Sequence, residues 1–160
     1  MKRLPVKDES TSPRRASRSS RGQSLVEFAM VAPILLILVF GIIDFGMGLR
    51  AWISLTNATR DGARYGSVGN PLGSPVSSCV GETDETVVGR VCTVTEGLDK
   101  NEMTVDPSCD PDCDPGSSVH VEATYEYHFV TPMGDLMNFF SGGSFPETLD
   151  LSTSTDMRLE

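Results

Sequence analysis

The chemistry open to this 160-residue chain begins at the approach to an apolar run. Basic residues and a glycine, ending in Arg21-Gly22, precede Gln23, and Glu27 stands directly before FAMVAPILLILVFGII, residues 28–43, which carry no charge. A carboxylate at the edge of an apolar helix is costly unless it is paired. Hydrolysis of the bond between Gly22 and Gln23 creates a positive α-amine on Gln23, about 6 Å from Glu27 along a helix. That amine can neutralise Glu27 within the chain, or on a neighbour packed alongside, where Glu27 would set the register. Solvation among lipid headgroups is the alternative. An ordinary secretory signal is cut after its apolar core. A cut between Gly22 and Gln23 falls before the core and keeps it in the mature protein.

Other reactive side chains point to scaffolding rather than turnover. Cys79, Cys92, Cys109 and Cys113 allow three pairings. Local closure favours Cys79 with Cys92 and Cys109 with Cys113, in an oxidising compartment. One C-x₃-C pair without a usefully spaced His does not make a zinc site. Asp106, Asp110, Asp112 and Asp114 crowd a Pro-rich loop; the spacing lacks the full Ca²⁺-loop pattern, so a solvated turn is the expectation. His120 and His128 lie roughly 26 Å apart at strand rise, too far for one metal. No G-x-S-x-G, Walker loop or H-E-x-x-H is present, so no enzyme, cofactor or metal is expected.

The elements that position these groups follow from hydropathy. As helix, residues 25–49 reach roughly 36 Å, enough to cross a hydrocarbon core of about 30 Å. Leu49, Trp52, Ile53, Leu55, Ala58, Gly62 and Ala63 continue an apolar stripe at helical spacing. Gly66 and Gly69 with Asn70 and Pro71 end it, so one helix of over forty residues is expected. Pro33 should kink it or remove one backbone bond. Asp44, late in the apolar run, is either interfacial or a helix-packing partner. Arg60 and Arg64, one turn apart, are either a solvated face or a docking patch.

A Gly, Pro and Ser loop spans 67–82. Asp84 is a candidate cap for a short helix bearing Val87, Val88, Val91, Val94 and Leu98, with a strand as the alternative. Residues 102–106 are a short strand candidate. Across 118–129, Val119, Val121, Ala123, Tyr125, Tyr127 and Phe129 alternate with polar residues, the pattern of a sheet covered on one face. Residues 132–145 read as turns with one helical turn near Leu136, and a last strand falls near 148–158. The fold class expected is α+β: a long N-terminal helix on a small antiparallel sheet.

Charge gives this architecture a direction. The net charge is −9, yet residues 1–22 hold seven Lys or Arg against Asp8 and Glu9, whereas residues 51–160 hold five against eighteen acids. Basic segments stay cytoplasmic. The expected organisation is therefore a disordered basic leader at 1–22, a transmembrane helix at 23–49, and an extracytoplasmic domain at 50–160. Nucleic acid is not an expected partner: the body would repel phosphates, and the leader has no aromatics.

The segment Arg21-Gly22-Gln23-Ser24-Leu25-Val26-Glu27-Phe28, followed by an apolar core with a Pro, resembles the processed N-terminus of type IV pilin-like proteins. GIIDFG at 41–46 and NATRDGARYG at 57–66 look like the TadE-like family, minor pilins or pseudopilins of the tight-adherence, Flp-type pilus system. The resemblance is dense over 21–66 and looser afterwards. It implies a pilin-like fold and cleavage by a prepilin peptidase after Gly22. It further implies a role with other pilin-like subunits and the tight-adherence secretion machinery. Flp-type pilins often carry Tyr after the key Glu, where this chain has Phe28, and the large body argues for a minor component. The alternative is a membrane-anchored extracytoplasmic binding module outside any fibre.

Overall fold

Leu, Ile, Val and Ala dominate the first helix, and helix α1 runs Ser20–Ser67, 48 residues, with Pro33 inside it. The computed structural model describes residues 20–160; most of the expected leader lies outside the described residues. The chain divides into two units, one ending at Leu36 and one covering Ile37–Glu160. Leu25, Phe28, Met30 and Ile34 in the first unit are each more than two-thirds exposed. Among the described residues, α1 is the one helix long and apolar enough to cross a membrane.

The second unit is helix on sheet. Strands β1 (Met103–Asp110), β2 (Ser118–His128) and β3 (Thr148–Arg158) form an antiparallel sheet in the order β1-β2-β3. Val119, Val121, Ala123, Tyr125 and Tyr127 of the central strand are buried, as period-two alternation requires. Pro107 sits in edge strand β1 opposite Val121. Beside it, Val76 exchanges backbone hydrogen bonds with Val105 at 3.0 and 2.9 Å. An edge position tolerates the missing donor of a proline. Helix α2 (Val87–Val94) adds Val87, Val88 and Val91 to the core.

The buried stripe of α1 differs from the expected one. Leu55, Ala58, Gly62 and Ala63 are buried, together with Ala51, Thr59 and Gly66. Leu49, Trp52 and Ile53 are instead exposed, at 44, 44 and 47%. The reason is close approach. A β-carbon at Gly62 would run into Val91 of α2, and one at Gly66 would stand 3.0 Å from both Val87 and Val119. Apart from Leu55, small residues face the partner elements, and Leu49, Trp52 and Ile53 fall on the other faces. Gly62→Val overpacks this contact and should cost about 1–3 kcal/mol. The check is a thermal melt of the full-length chain in detergent; an unchanged midpoint would reject the close-packing account.

Smaller differences have equally local causes. The cap of α2 is Thr86 rather than Asp84: the Thr86 side chain accepts from Gly89 N at 3.0 Å. Asp84 lies 3.9 Å from Arg90. The first-turn donors Val87 N and Val88 N bond to Pro71 O and Leu72 O at 2.9 and 3.1 Å, which satisfies groups that a helix start leaves open. Strand β1 runs on to Asp110, four residues past the expected end. The region around Leu136 is a nine-residue helix, α3 (Met133–Ser141), closed by Gly142 at φ +71°. Helix α1 ends where expected: Gly69 N donates to Gly66 O at 2.9 Å, and the Asn70 side chain donates to Tyr65 O at 2.9 Å.

Candidate functional site

The approach to the apolar run is laid out along the first turns of α1. Gly22 has open space around the position of a β-carbon, and residues 22–31 are all exposed. Gln23 and Glu27 fall one turn apart on the helix. Phe28 is 68% exposed. Among the described residues Glu27 forms no ion pair. The bond between Gly22 and Gln23 lies close to the helix start, where the backbone frays most readily. The chemistry available is therefore proteolytic exposure of an amine beside a carboxylate, on a helix whose apolar side chains are uncovered.

Asp44 occupies a different setting. It is 2% exposed, and its charge is answered by the connection between β2 and α3. Val130 N and Thr131 N donate to Asp44 Oδ1 at 2.9 and 3.1 Å, and the Thr131 hydroxyl donates to Oδ2. Tyr127 OH donates to the Asp44 backbone carbonyl at 3.2 Å. Donors converging on a carboxylate offset the cost of its burial. Burial, and then the Asp44 charge, push the Tyr127 phenol above its ordinary range. Asp44 thus packs against its own chain. Its partners lie more than eighty residues away in sequence.

Arg60 and Arg64 are exposed and form no ion pair among the described residues. Asp61, between them, does: Arg90 Nε lies 2.6 Å from Asp61 Oδ2 and ties α1 to α2. Cys79 is bonded to Cys92, and Cys109 to Cys113. The first bridge is buried and fastens the 67–82 loop to α2; the second closes the acidic turn, where the bond between Asp110 and Pro111 is cis. Among the described residues no three His, Cys, Asp or Glu are grouped to hold a metal ion. His120 Nδ1 faces Asp156 at 2.7 Å, and His128 lies 3.9 Å from Glu102.

Sequence reasoning did not find Thr131, Tyr127 and Val130 as partners of Asp44. One signal was available: an acid in an apolar helix demands donors. It also did not find a groove of about 410 Å³ lined by Gly41, Phe45, Trp52, Tyr127, Met133 and Leu151. Its walls come from α1, the sheet and the start of α3, so only the fold brings them together.

A long helix, apolar enough at its N-terminal end to cross a membrane and packed further on against a small antiparallel sheet, defines the class as an α+β protein with one helix able to span a bilayer. Residues 22–64 match the family model described as TadE-like protein, the family whose resemblance the 21–66 segment carries. The matched stretch holds Gly22, Glu27, Asp44, Asp61 and Gly62. No curated protein matches the chain, and no solved structure matches it.

Proposed function

We propose that this chain is a minor pilin or pseudopilin of the tight-adherence pilus system, a structural subunit held in the cell membrane by the first half of α1. The observation that carries the reading is the TadE-like match over 22–64, laid on a helix whose large apolar residues in that half are exposed. Uncovered apolar side chains on a helix of this length belong in lipid or against other helices. The proposed division is a cytoplasmic leader at 1–22, a membrane segment at 23–49 and an extracytoplasmic domain at 50–160. The charge contrast across the span supports this orientation, and two disulfides suit an oxidising compartment.

In this reading a prepilin peptidase cuts between Gly22 and Gln23. The new amine pairs with Glu27 of the same or a neighbouring subunit, and Phe28 joins the helix contact. Arg60 and Arg64, exposed on α1, are left to meet other pilin-like subunits or the secretion machinery. The role is structural rather than catalytic.

Mass spectrometry of the mature N-terminus tests the processing step. The expected chain begins at Gln23, and Gly22→Leu should leave the leader attached. A wild-type chain that keeps residues before Gly22 when co-expressed with a prepilin peptidase would remove processing from the proposal.

A further inference from the structure

The segment from β2 to β3 brings a second apolar surface to the end of the charge-free run. Residues 129–145, FVTPMGDLMNFFSGGSF, contain one charged residue, Asp135, and no Lys or Arg. Two contacts fix their position along α1. Val130 N and Thr131 N are held by Asp44, one residue past the end of the run. Met133 Sδ lies 3.6 Å from where a β-carbon would stand on Gly41, inside the run. The far end of the segment returns to the same place, with the Phe145 ring 5.8 Å from Phe129. The whole excursion, α3 included, is thus moored beside residues 41–44.

Its exposed side chains include two large apolar ones, with Asp135 exposed one turn before Phe139 on α3. Phe139 of α3 is 81% exposed and Val130 64%; Phe45 of α1 and Leu149 of β3, at 73 and 49%, are exposed as well. Water is a poor neighbour for such a group of large side chains. If residues 28–43 lie in a bilayer, the level of residues 41–44 is its interface. An amphipathic helix at that depth lies with its apolar face about 5–10 Å into the boundary between headgroups and acyl chains.

From this placement we infer that α3, with the loop that carries it, is a second membrane contact, lying in the interface of the leaflet at the C-terminal end of the span. The occupant of the apolar face is lipid. The inference rests on the reading that α1 spans the membrane. With one acid and no basic residue in the segment, the contact is driven by apolar area and needs no anionic lipid. It gives the domain two attachments to the bilayer, the helix and α3.

Trp52 is the chain's one tryptophan, so Trp52→Phe gives a dark background for reporters. Full-length Trp52→Phe/Phe139→Trp is placed in phosphatidylcholine vesicles whose acyl chains are brominated either near the ester end or near the methyl end. A Trp52→Phe/Leu36→Trp protein reports on the span, and Trp52→Phe/Val130→Trp is a second interfacial reporter. The position-139 and position-130 reporters are expected to lose most of their emission to the shallow bromine, little to the deep bromine and little to aqueous acrylamide. Quenching of both by acrylamide and not by lipid would place α3 in water and overturn the inference. Protection from both quenchers would show a protein partner on the face and overturn it equally. If lipid quenches the position-36 reporter in either case, the spanning reading survives the loss; if lipid quenches none of the three, both fall.

Discussion

Glu27→Ala should leave the chain inserted in the membrane and abolish most of its assembly with other subunits. The two effects separate because they draw on different energies. Insertion is driven by the apolar run at 28–43, which the substitution lengthens by one apolar residue. Assembly in the proposed reading requires the Gln23 amine to find a carboxylate where water is scarce. Removing one partner of such a pair leaves an uncompensated charge, at a cost of about 3–5 kcal/mol when the site is buried. At a tenfold change per ~1.4 kcal/mol, even about 3 kcal/mol reduces association more than a hundredfold. Glu27→Asp keeps the charge on a shorter arm and should recover part of the yield; Glu27→Gln keeps the shape without the charge and should recover little. The measurement is cross-linked multimers and sheared surface material, set against the amount of subunit in the membrane fraction. Normal multimers from Glu27→Ala would favour an anchored binding module. The same residue carries no such expectation if the leader is never removed, so its phenotype should vanish in the Gly22→Leu background.

Much of this arrangement was legible in the sequence, and the illegible parts have a common cause. Alternation marked β2 to within a residue, because period two over eleven residues has no helical rival. The end of α1 was marked by glycines and an Asn that supply the local bonds themselves. The buried face of α1 was read correctly at Leu55, Ala58, Gly62 and Ala63 but missed at Ala51, Thr59 and Gly66, small residues that carry little hydrophobic signal. Leu49 and Trp52 carry more signal and lie outside. Helix α3 was obscured by Pro132, Gly134, Gly142 and Gly143, which read as turns although the first and the last two stand outside its ends. Long-range groups were least accessible. Nothing near Thr131 announces that it meets Asp44, and nothing near Arg90 announces Asp61. Only the demand for a partner is local; its identity comes from topology.

Asp44 is where that demand is strongest, and Asp44→Ala should be the most destabilising single polar change in the domain. The substitution removes the acceptor of Val130 N, Thr131 N and the Thr131 hydroxyl at once. Donors left unsatisfied cost about 1–3 kcal/mol each when buried, and these three are part-buried. Relaxation of the loop and relief of a buried charge offset part of this, for a net loss of about 2–5 kcal/mol. Asp44→Asn separates geometry from charge. Its amide oxygen can still accept from Val130 N and Thr131 N, while its NH₂ can donate to the Thr131 oxygen, so the loss should be about 1 kcal/mol. Trp52 lines the groove beside Asp44, so its fluorescence during denaturation of the full-length chain in detergent gives the midpoints. Both variants should also move the Tyr127 phenol down toward its ordinary range, because each removes the Asp44 charge that adds to burial in raising it. Equal stability of the two variants would mean that the hydrogen bonds contribute nothing beyond charge. Wild-type stability in both would mean that Asp44 is solvated. The consequence reaches past stability. Asp44 holds the 129–133 connection against α1 at the end of the charge-free run, so its loss should also free α3 from that level. The interfacial reporter at position 139 would then become open to acrylamide in an Asp44→Ala chain while the position-36 reporter stays in lipid, which makes Asp44 the residue that couples the fold of the domain to its seat on the membrane.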